Sequence, residues 1–163
     1  MSKHRPGGEL ASRPLHFFFL LDTSGSMSVA GKIQSLNRAV REVIPHMRKI
    51  ASENSNAQVL VRVVTFDSVA RWNVPTPTPV EKFTWAGVNA GGSTSMGAAL
   101  RLVAEQLKMP PMDKRALPPT LLMVSDGQPT DDFDTALSEF LSLPWGKMSI
   151  RTAIGIGRDA DYS

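Results

Sequence analysis

The segment DTSGS at residues 22–26 directly follows the apolar run FFFLL at residues 17–21. An apolar run of this kind is typical of a strand buried on both faces, as found in the centre of parallel sheets. In an open α/β sheet, ligands bind at the carboxyl ends of such strands. Because Asp and Ser oxygens are hard ligands, the segment predicts a site for a small divalent cation at the end of this strand.

The rest of the chain alternates between strand and helix patterns. Strands are predicted at about Leu15–Leu21, Gln58–Phe66, Val69–Val74, Leu121–Val124 and Ile150–Ile156, with helices over about 33–50, 95–107 and 133–141. The order β-α-β-β-α-β-α-β indicates an α/β fold with a doubly wound, mostly parallel sheet and one antiparallel edge strand. We expect one domain over residues 14–163, preceded by a flexible tail at 1–13.

Prolines add two local expectations. Pro45 should kink the long first helix or divide it in two. Pro75, Pro77 and Pro79 should end regular structure after the edge strand.

Composition excludes several classes of function. The chain has 163 residues and no cysteine, which removes disulfides, thiolate metal sites and cysteine nucleophiles. Its net charge of +3 is small and its basic residues are scattered, so we expect no nucleic-acid partner. No apolar stretch approaches the ~20 residues of a membrane span. We therefore expect a soluble, cytoplasmic protein that is not bound to a membrane.

A second strand also ends at an acid, Asp126, and Thr94 lies at the start of a helix. In a doubly wound sheet, the strands that end at Asp22 and Asp126 lie side by side where the winding reverses. The crevice there would collect five candidate metal ligands: Asp22, Ser24, Ser26, Thr94 and Asp126. Because only two of them are charged, a bound metal would remain attractive to an acidic ligand from outside.

Other interpretations remain open. In a purely structural module, the hydroxyls would cap helices and Asp126-Gly127 would form a turn. A phosphatase of the haloacid-dehalogenase type also places an Asp after its first strand and uses a later acidic pair, for which Asp131-Asp132 is a candidate. That enzyme needs a second carboxylate where this chain has Ser24. A serine hydrolase is disfavoured because no glycine precedes Ser24 at the position that a nucleophile elbow requires.

The motifs DTSGSM, GGSTSMGAAL, SDGQPTDD and AIGIG resemble the metal-ion-dependent adhesion site and flanking segments of von Willebrand factor A (VWA) domains. Within that family they are most similar to the bacterial TerY-like branch, which is tied to tellurite and stress resistance. The resemblance implies that Ser24, Ser26 and Thr94 contact Mg²⁺ (or Mn²⁺ or Ca²⁺), with Asp22 and Asp126 acting often through water. It also implies a protein partner that supplies Asp or Glu, such as a Ser/Thr kinase or a metal-dependent protein phosphatase, and no catalysis.

Two regions near this site leave further alternatives. A complete A domain usually adds a helix and a strand after the segment that matches Ile150–Ile156, so we expect this chain to lack them and to leave a sheet edge open. Phe83 and Trp85 are expected to pack as core residues, although Trp85 beside the metal could instead anchor a partner.

Overall fold

A computed structural model describes residues 13–54, 56–91, 95–108, 115–127 and 131–156. The strands are β1 (Arg13–Asp22), β2 (Ala57–Phe66), β3 (Ala70–Pro79), β4 (Thr120–Ser125) and β5 (Ile150–Gly155). The helices are α1 (Lys32–Glu53), α2 (Met96–Gln106), α3 (Phe133–Ser142) and the short α4 (Pro144–Met148), with a 3₁₀ turn at Gly25–Ser28. None of the helices in these ranges is both long and apolar enough to cross a membrane.

The five strands form one mixed sheet in the order β3-β2-β1-β4-β5. β1 pairs in parallel with β2 and β4, β4 pairs in parallel with β5, and only β3 runs antiparallel. The predicted α/β fold class is therefore confirmed, including the antiparallel edge strand. Because the connections from β1 run in opposite directions along the sheet, β1 and β4 flank the point where the winding reverses.

Alternation along β1 divides the core between the two faces of the sheet. Phe19 and Leu21 face α1, whereas Phe18 and Leu20 face α2 and α3. All four side chains are fully buried. The central strand is thus anchored on both faces, which fixes the position of the loop that follows it.

β3 differs from the sequence expectation because it continues through three prolines to Pro79. The expectation that Pro75, Pro77 and Pro79 end regular structure was wrong. The amide of Val80 donates to the carbonyl of Val59 on β2 at 3.0 Å, so the ring nitrogen of Pro79 faces away from the sheet. Proline is tolerated there because the outer side of an edge strand needs no amide donor.

α1 is one helix of 22 residues, and Pro45 lies inside it without dividing it. Buried side chains on both sides of the proline, Val40 and Met47 among them, hold the helix against the sheet. Tertiary packing therefore outweighs the amide lost at Pro45. The structure also adds α4, which was not predicted, and begins β1 at Arg13, which was assigned to the tail; residues 1–12 lie outside the described residues.

Candidate functional site

The carboxyl ends of β1 and β4 meet at one edge of the sheet. Leu21 pairs with Val124, so the next residue of each strand, Asp22 and Ser125, lie side by side. The loops that follow carry Ser24 and Asp126 into the same place. Asp22 is 0% exposed and Asp126 is 4% exposed, so both carboxylates are withdrawn from solvent.

Both carboxylate oxygens of Asp22 accept hydrogen bonds. The Ser24 amide donates to Oδ1 at 2.8 Å, and the Ser125 hydroxyl donates to Oδ2 at 2.5 Å. Burial raises the pKa of Asp22, and the negative charge of Asp126 acts in the same direction, while the hydrogen bonds from Ser125 and Ser24 oppose them. Asp22 is therefore a buried carboxylate with both oxygens oriented by hydrogen bonds and with a negative charge that burial disfavours.

A chain of hydroxyl contacts joins the two strand ends. Ser24 Oγ lies 3.2 Å from Ser26 Oγ, and Ser26 Oγ donates to Asp126 Oδ1 at 3.0 Å. Ser24 is buried, whereas Ser26 is exposed on the 3₁₀ turn. The cluster is therefore open to solvent on the side of Ser26.

Lys32 adds a cation to this cluster. Its Nζ donates to Asp126 Oδ2 at 3.1 Å, and the two side chains are only 13% and 5% exposed. Sequence reasoning missed Lys32 and also Ser125. Lys32 could have been noticed, because it is the first residue of a helix, where a positive charge is unfavourable.

Thr94, the fifth predicted ligand, lies outside the described residues. The segments on either side of it are tied to the site region. The Gly91 amide donates to the Thr23 carbonyl at 2.7 Å, and the Ser95 amide donates to the Asp67 carbonyl at 2.7 Å. The structure thus brings Asp22, Ser24, Ser26 and Asp126 together.

The acidic pair Asp131-Asp132 has a different environment. Asp131 accepts the amides of Gly97 and Ala98, at 2.8 and 2.9 Å, at the start of α2. Asp132 caps α3 by accepting the Thr135 amide at 3.1 Å and the Thr135 hydroxyl at 2.7 Å, and these bonds lower the pKa of Asp132. Both acids therefore stabilise helix N-termini.

Of the two aromatic residues before Thr94, Phe83 lies in the core and Trp85 packs against it, partly buried. Phe83 is 2% exposed, and its ring lies 6.4 Å from that of Phe19 and 6.5 Å from that of Trp85. The Trp85 indole donates to Asn37 Oδ1 on α1 at 3.0 Å. Phe83 is therefore a core residue as expected, whereas Trp85 is only partly buried and contacts the core from its edge.

The predicted ligands that lie together at the strand ends supply two carboxylates, from Asp22 and Asp126, and two hydroxyls, from Ser24 and Ser26. Among the described residues, no group of three or more His, Cys, Asp or Glu side chains is placed to hold a metal. Any cation at this edge would therefore depend on serine oxygens for part of its ligand set. Such a set of oxygens could hold a hard cation such as Mg²⁺ but is unsuited to a soft metal.

Solved structures share this fold at low sequence identity. A von Willebrand factor type A protein from Catenulispora acidiphila aligns with a TM-score of 0.68 at 18% identity, over 91% of this chain and 34% of that one. The ArnB paralog VWA2 from Sulfolobus acidocaldarius aligns with a TM-score of 0.61 at 19% identity, over 91% and 36%. The manganese-loaded TRAP protein of Plasmodium vivax gives 0.58 at 17% identity, over 92% and 60%.

This chain thus spans about a third of the first two structures and about three fifths of the third. A comparison with curated proteins finds no match. A family model, described as the von Willebrand factor type A domain, matches residues 17–128. These residues include the second half of β1, all of β4 and the loops that carry the clustered acids and serines, and the chain belongs to the von Willebrand factor type A domain family.

Proposed function

We propose that this chain is a protein-interaction module that depends on a divalent cation. Ser24, Ser26 and Thr94 would hold Mg²⁺, with Asp22 and Asp126 in support; Mn²⁺ or Ca²⁺ are the alternatives. An Asp or Glu side chain of a partner protein would complete the site from outside.

One observation supports this proposal above the others: the spacing of the oxygens at the ends of β1 and β4. Mg²⁺ binds oxygens octahedrally at about 2.1 Å, so neighbouring ligand oxygens lie about 3.0 Å apart. The Ser24 Oγ to Ser26 Oγ separation, 3.2 Å, is close to that distance, and Ser26 Oγ also donates a hydrogen bond to the supporting Asp126 at 3.0 Å. The Ser24 side chain makes no capping hydrogen bond to the 3₁₀ turn that follows it, so helix capping does not account for its position.

With a divalent cation bound, the charge of the cluster would favour an acidic ligand. Bound Mg²⁺ would supply the positive charge that compensates a partner carboxylate for its lost water. The chain's own residues orient the site: the Ser24 amide and the Ser125 hydroxyl fix both oxygens of Asp22. The exposure of Ser26 leaves a route for the partner's side chain.

The relatives support the same class of function. Von Willebrand factor type A domains are generally interaction modules rather than enzymes. One structure with the same fold, the Plasmodium vivax TRAP protein, is manganese-loaded. The motifs SDGQPTDD and GGSTSMGAAL add the TerY-like resemblance, from which we propose a bacterial stress or tellurite-resistance system with a kinase and a phosphatase as partners.

The phosphatase alternative is weakened by the acidic pair on which it relies. Asp131 directs both oxygens to the amides of Gly97 and Ala98, and Asp132 bonds to Thr135. Neither acid bonds to Asp22, the residue that would act as nucleophile. We therefore propose no catalytic role for this edge of the sheet.

Mg²⁺ titration of Ser26→Ala tests the metal part of the proposal. Losing one hydroxyl ligand should weaken Mg²⁺ binding by about 10- to 100-fold, measured by calorimetry and by the rise in Tm with Mg²⁺. Ser28→Ala is the matched control, because Ser28 lies on the same turn but donates to the Gly25 carbonyl at 2.7 Å. Equal Mg²⁺ affinities for wild type, Ser26→Ala and Ser28→Ala would contradict the proposal.

Partner capture tests the interaction itself. The immobilised protein should retain a partner in Mg²⁺ and release it in EDTA, and Asp22→Ala should retain none. Circular dichroism in EDTA should show an intact fold, because the two core clusters do not include the metal ligands. Retention that is equal in Mg²⁺ and EDTA would place the interface elsewhere.

A further inference from the structure

Lys32 occupies a position that helix stability does not explain. It is the first residue of α1, and a positive charge there opposes the helix dipole. Its side chain is nevertheless only 13% exposed, so the ammonium has also lost much of its water. Both costs point to a compensating interaction, and the ammonium bonds to Asp126 Oδ2 at 3.1 Å.

The backbone before α1 places Lys32 at that position. Ala30 and Gly31 have φ values of 55° and 72°, so two successive residues adopt the left-handed conformation. This conformation is unfavourable for Ala30 and ordinary for Gly31. The turn joins the 3₁₀ segment that carries Ser26 directly to the helix that carries Lys32, so both side chains reach Asp126 from one short stretch of chain.

Asp22 and Asp126 accept hydrogen bonds from different kinds of donor. Asp22 accepts bonds from the Ser24 amide and the Ser125 hydroxyl, which are neutral donors. Asp126 accepts one neutral bond from Ser26 and one charged bond from Lys32. When Asp22, Asp126 and Lys32 are ionised, the three side chains together carry one net negative charge. A bound divalent cation would change the total to one net positive charge.

We propose that Lys32 is a built-in counter-ion of Asp126 and lowers the affinity of the site for divalent cations. This inference rests on the proposed function, since it concerns the same metal. The ammonium stabilises the metal-free site by balancing Asp126, and it opposes a second positive charge nearby. It also leaves the metal-bound site with the positive charge that an acidic partner requires.

The experiment compares Mg²⁺ dissociation constants for wild type, Lys32→Gln, Lys32→Arg and Lys49→Gln. Gln keeps a hydrogen-bond donor but removes the charge, so Lys32→Gln should bind Mg²⁺ about tenfold tighter or more. Lys32→Arg keeps the charge and should stay within about threefold of wild type. Lys49 is exposed near the other end of α1, so Lys49→Gln makes the same charge change away from the site.

Tm in EDTA provides a second measurement. Lys32→Gln should melt below wild type without metal, because Asp126 loses its charged partner, and should gain more Tm than wild type on adding Mg²⁺. Tighter Mg²⁺ binding by Lys32→Gln, with Lys32→Arg and Lys49→Gln close to wild type, supports the inference. Unchanged or weaker Mg²⁺ binding by Lys32→Gln, with wild type binding normally, overturns it and leaves the proposed function intact. Failure of wild type to bind Mg²⁺ overturns both.

Discussion

Two pairs of aspartates occur in the sequence motifs and have different surroundings in the fold. Asp22 and Asp126 follow neighbouring parallel strands, are buried, and bond mainly to serine hydroxyls and Lys32. Asp131 and Asp132 precede α3 and direct their oxygens to the N-termini of α2 and α3. The first pair lies among serine hydroxyls whose oxygens are candidate metal ligands, whereas the second pair is bonded to helix amides and to the Thr135 hydroxyl.

The difference shows that an acid's neighbours determine whether it can bind a cation. A carboxylate that accepts two helix amides already has its charge balanced by donors and by the helix dipole. A carboxylate beside hydroxyls retains ligand capacity, because hydroxyl oxygens can turn their lone pairs toward a cation. The two pairs should therefore respond in opposite ways to substitution.

The largest effect is expected for Asp22→Asn. Mg²⁺ affinity should fall by about 100-fold, the upper end of the loss typical of outer-sphere partners, because Asp22 carries one of the two negative charges of the proposed site. In EDTA the Tm of Asp22→Asn should equal or exceed that of wild type, since burial raises the pKa of Asp22 and its charge is unfavourable without a metal. Calorimetry and thermal melts with and without Mg²⁺ measure both effects. If Asp22→Asn has a lower Tm than wild type in EDTA and an unchanged Mg²⁺ affinity, Asp22 stabilises the fold and does not support a metal, and the contrast with Asp131 and Asp132 is contradicted.

Asp131→Ala should show the reverse pattern. Loss of two charge-assisted bonds to the amides of Gly97 and Ala98 should lower the free energy of unfolding by about 2 kcal/mol. Asp134→Ala, an exposed acid in the first turn of α3, is the charge-matched control and should cost less than about 1 kcal/mol. Urea denaturation measures both. Equal losses for the two variants would show that Asp131 acts only as a surface charge.

A smaller effect is expected at Gly97, which lies against Asp131. A Cβ there would lie 3.1 Å from both carboxylate oxygens of Asp131. Gly97→Ala in wild type should therefore gain little or lose stability, although Ala in a helix normally gains about 1 kcal/mol over Gly. In the Asp131→Ala background the full gain of about 1 kcal/mol should appear. The same gain in both backgrounds would contradict the close approach of Asp131 to α2.

The sequence predicted the parts of the fold that follow from hydrophobic periodicity. The apolar run before Asp22 indicated a central buried strand, and that strand lies between β2 and β4. It did not predict the course of β3, because the prolines there are compatible with an edge strand only when their nitrogens face outward, and the direction of each nitrogen depends on register. Likewise, Pro45 suggested a break that packing on both sides of it prevents.

Polar contacts between residues far apart in the sequence were harder to predict. Asp22, Ser24, Ser26 and Asp126 could be grouped because strand order places their loops together. The contact of Lys32 with Asp126 joins residues 94 positions apart and depends on the turn before α1. Arg62 is a similar case: it is 4% exposed, and its guanidinium lies 4.5 Å from the centre of the Phe18 ring, a burial that is rare for arginine and that the sequence did not indicate.

The most direct test of the metal site is anomalous diffraction from crystals grown with MnCl₂. Mn²⁺ has ligand preferences close to those of Mg²⁺ and is visible at its own absorption edge. We predict an anomalous peak within coordination distance of Ser24 Oγ and Ser26 Oγ, beside Asp22 and Asp126, and none beside Asp131 or Asp132. Well-diffracting protein crystals grown with MnCl₂ that show no anomalous peak at the two serines, or show the peak at Asp131 and Asp132 instead, would contradict the account.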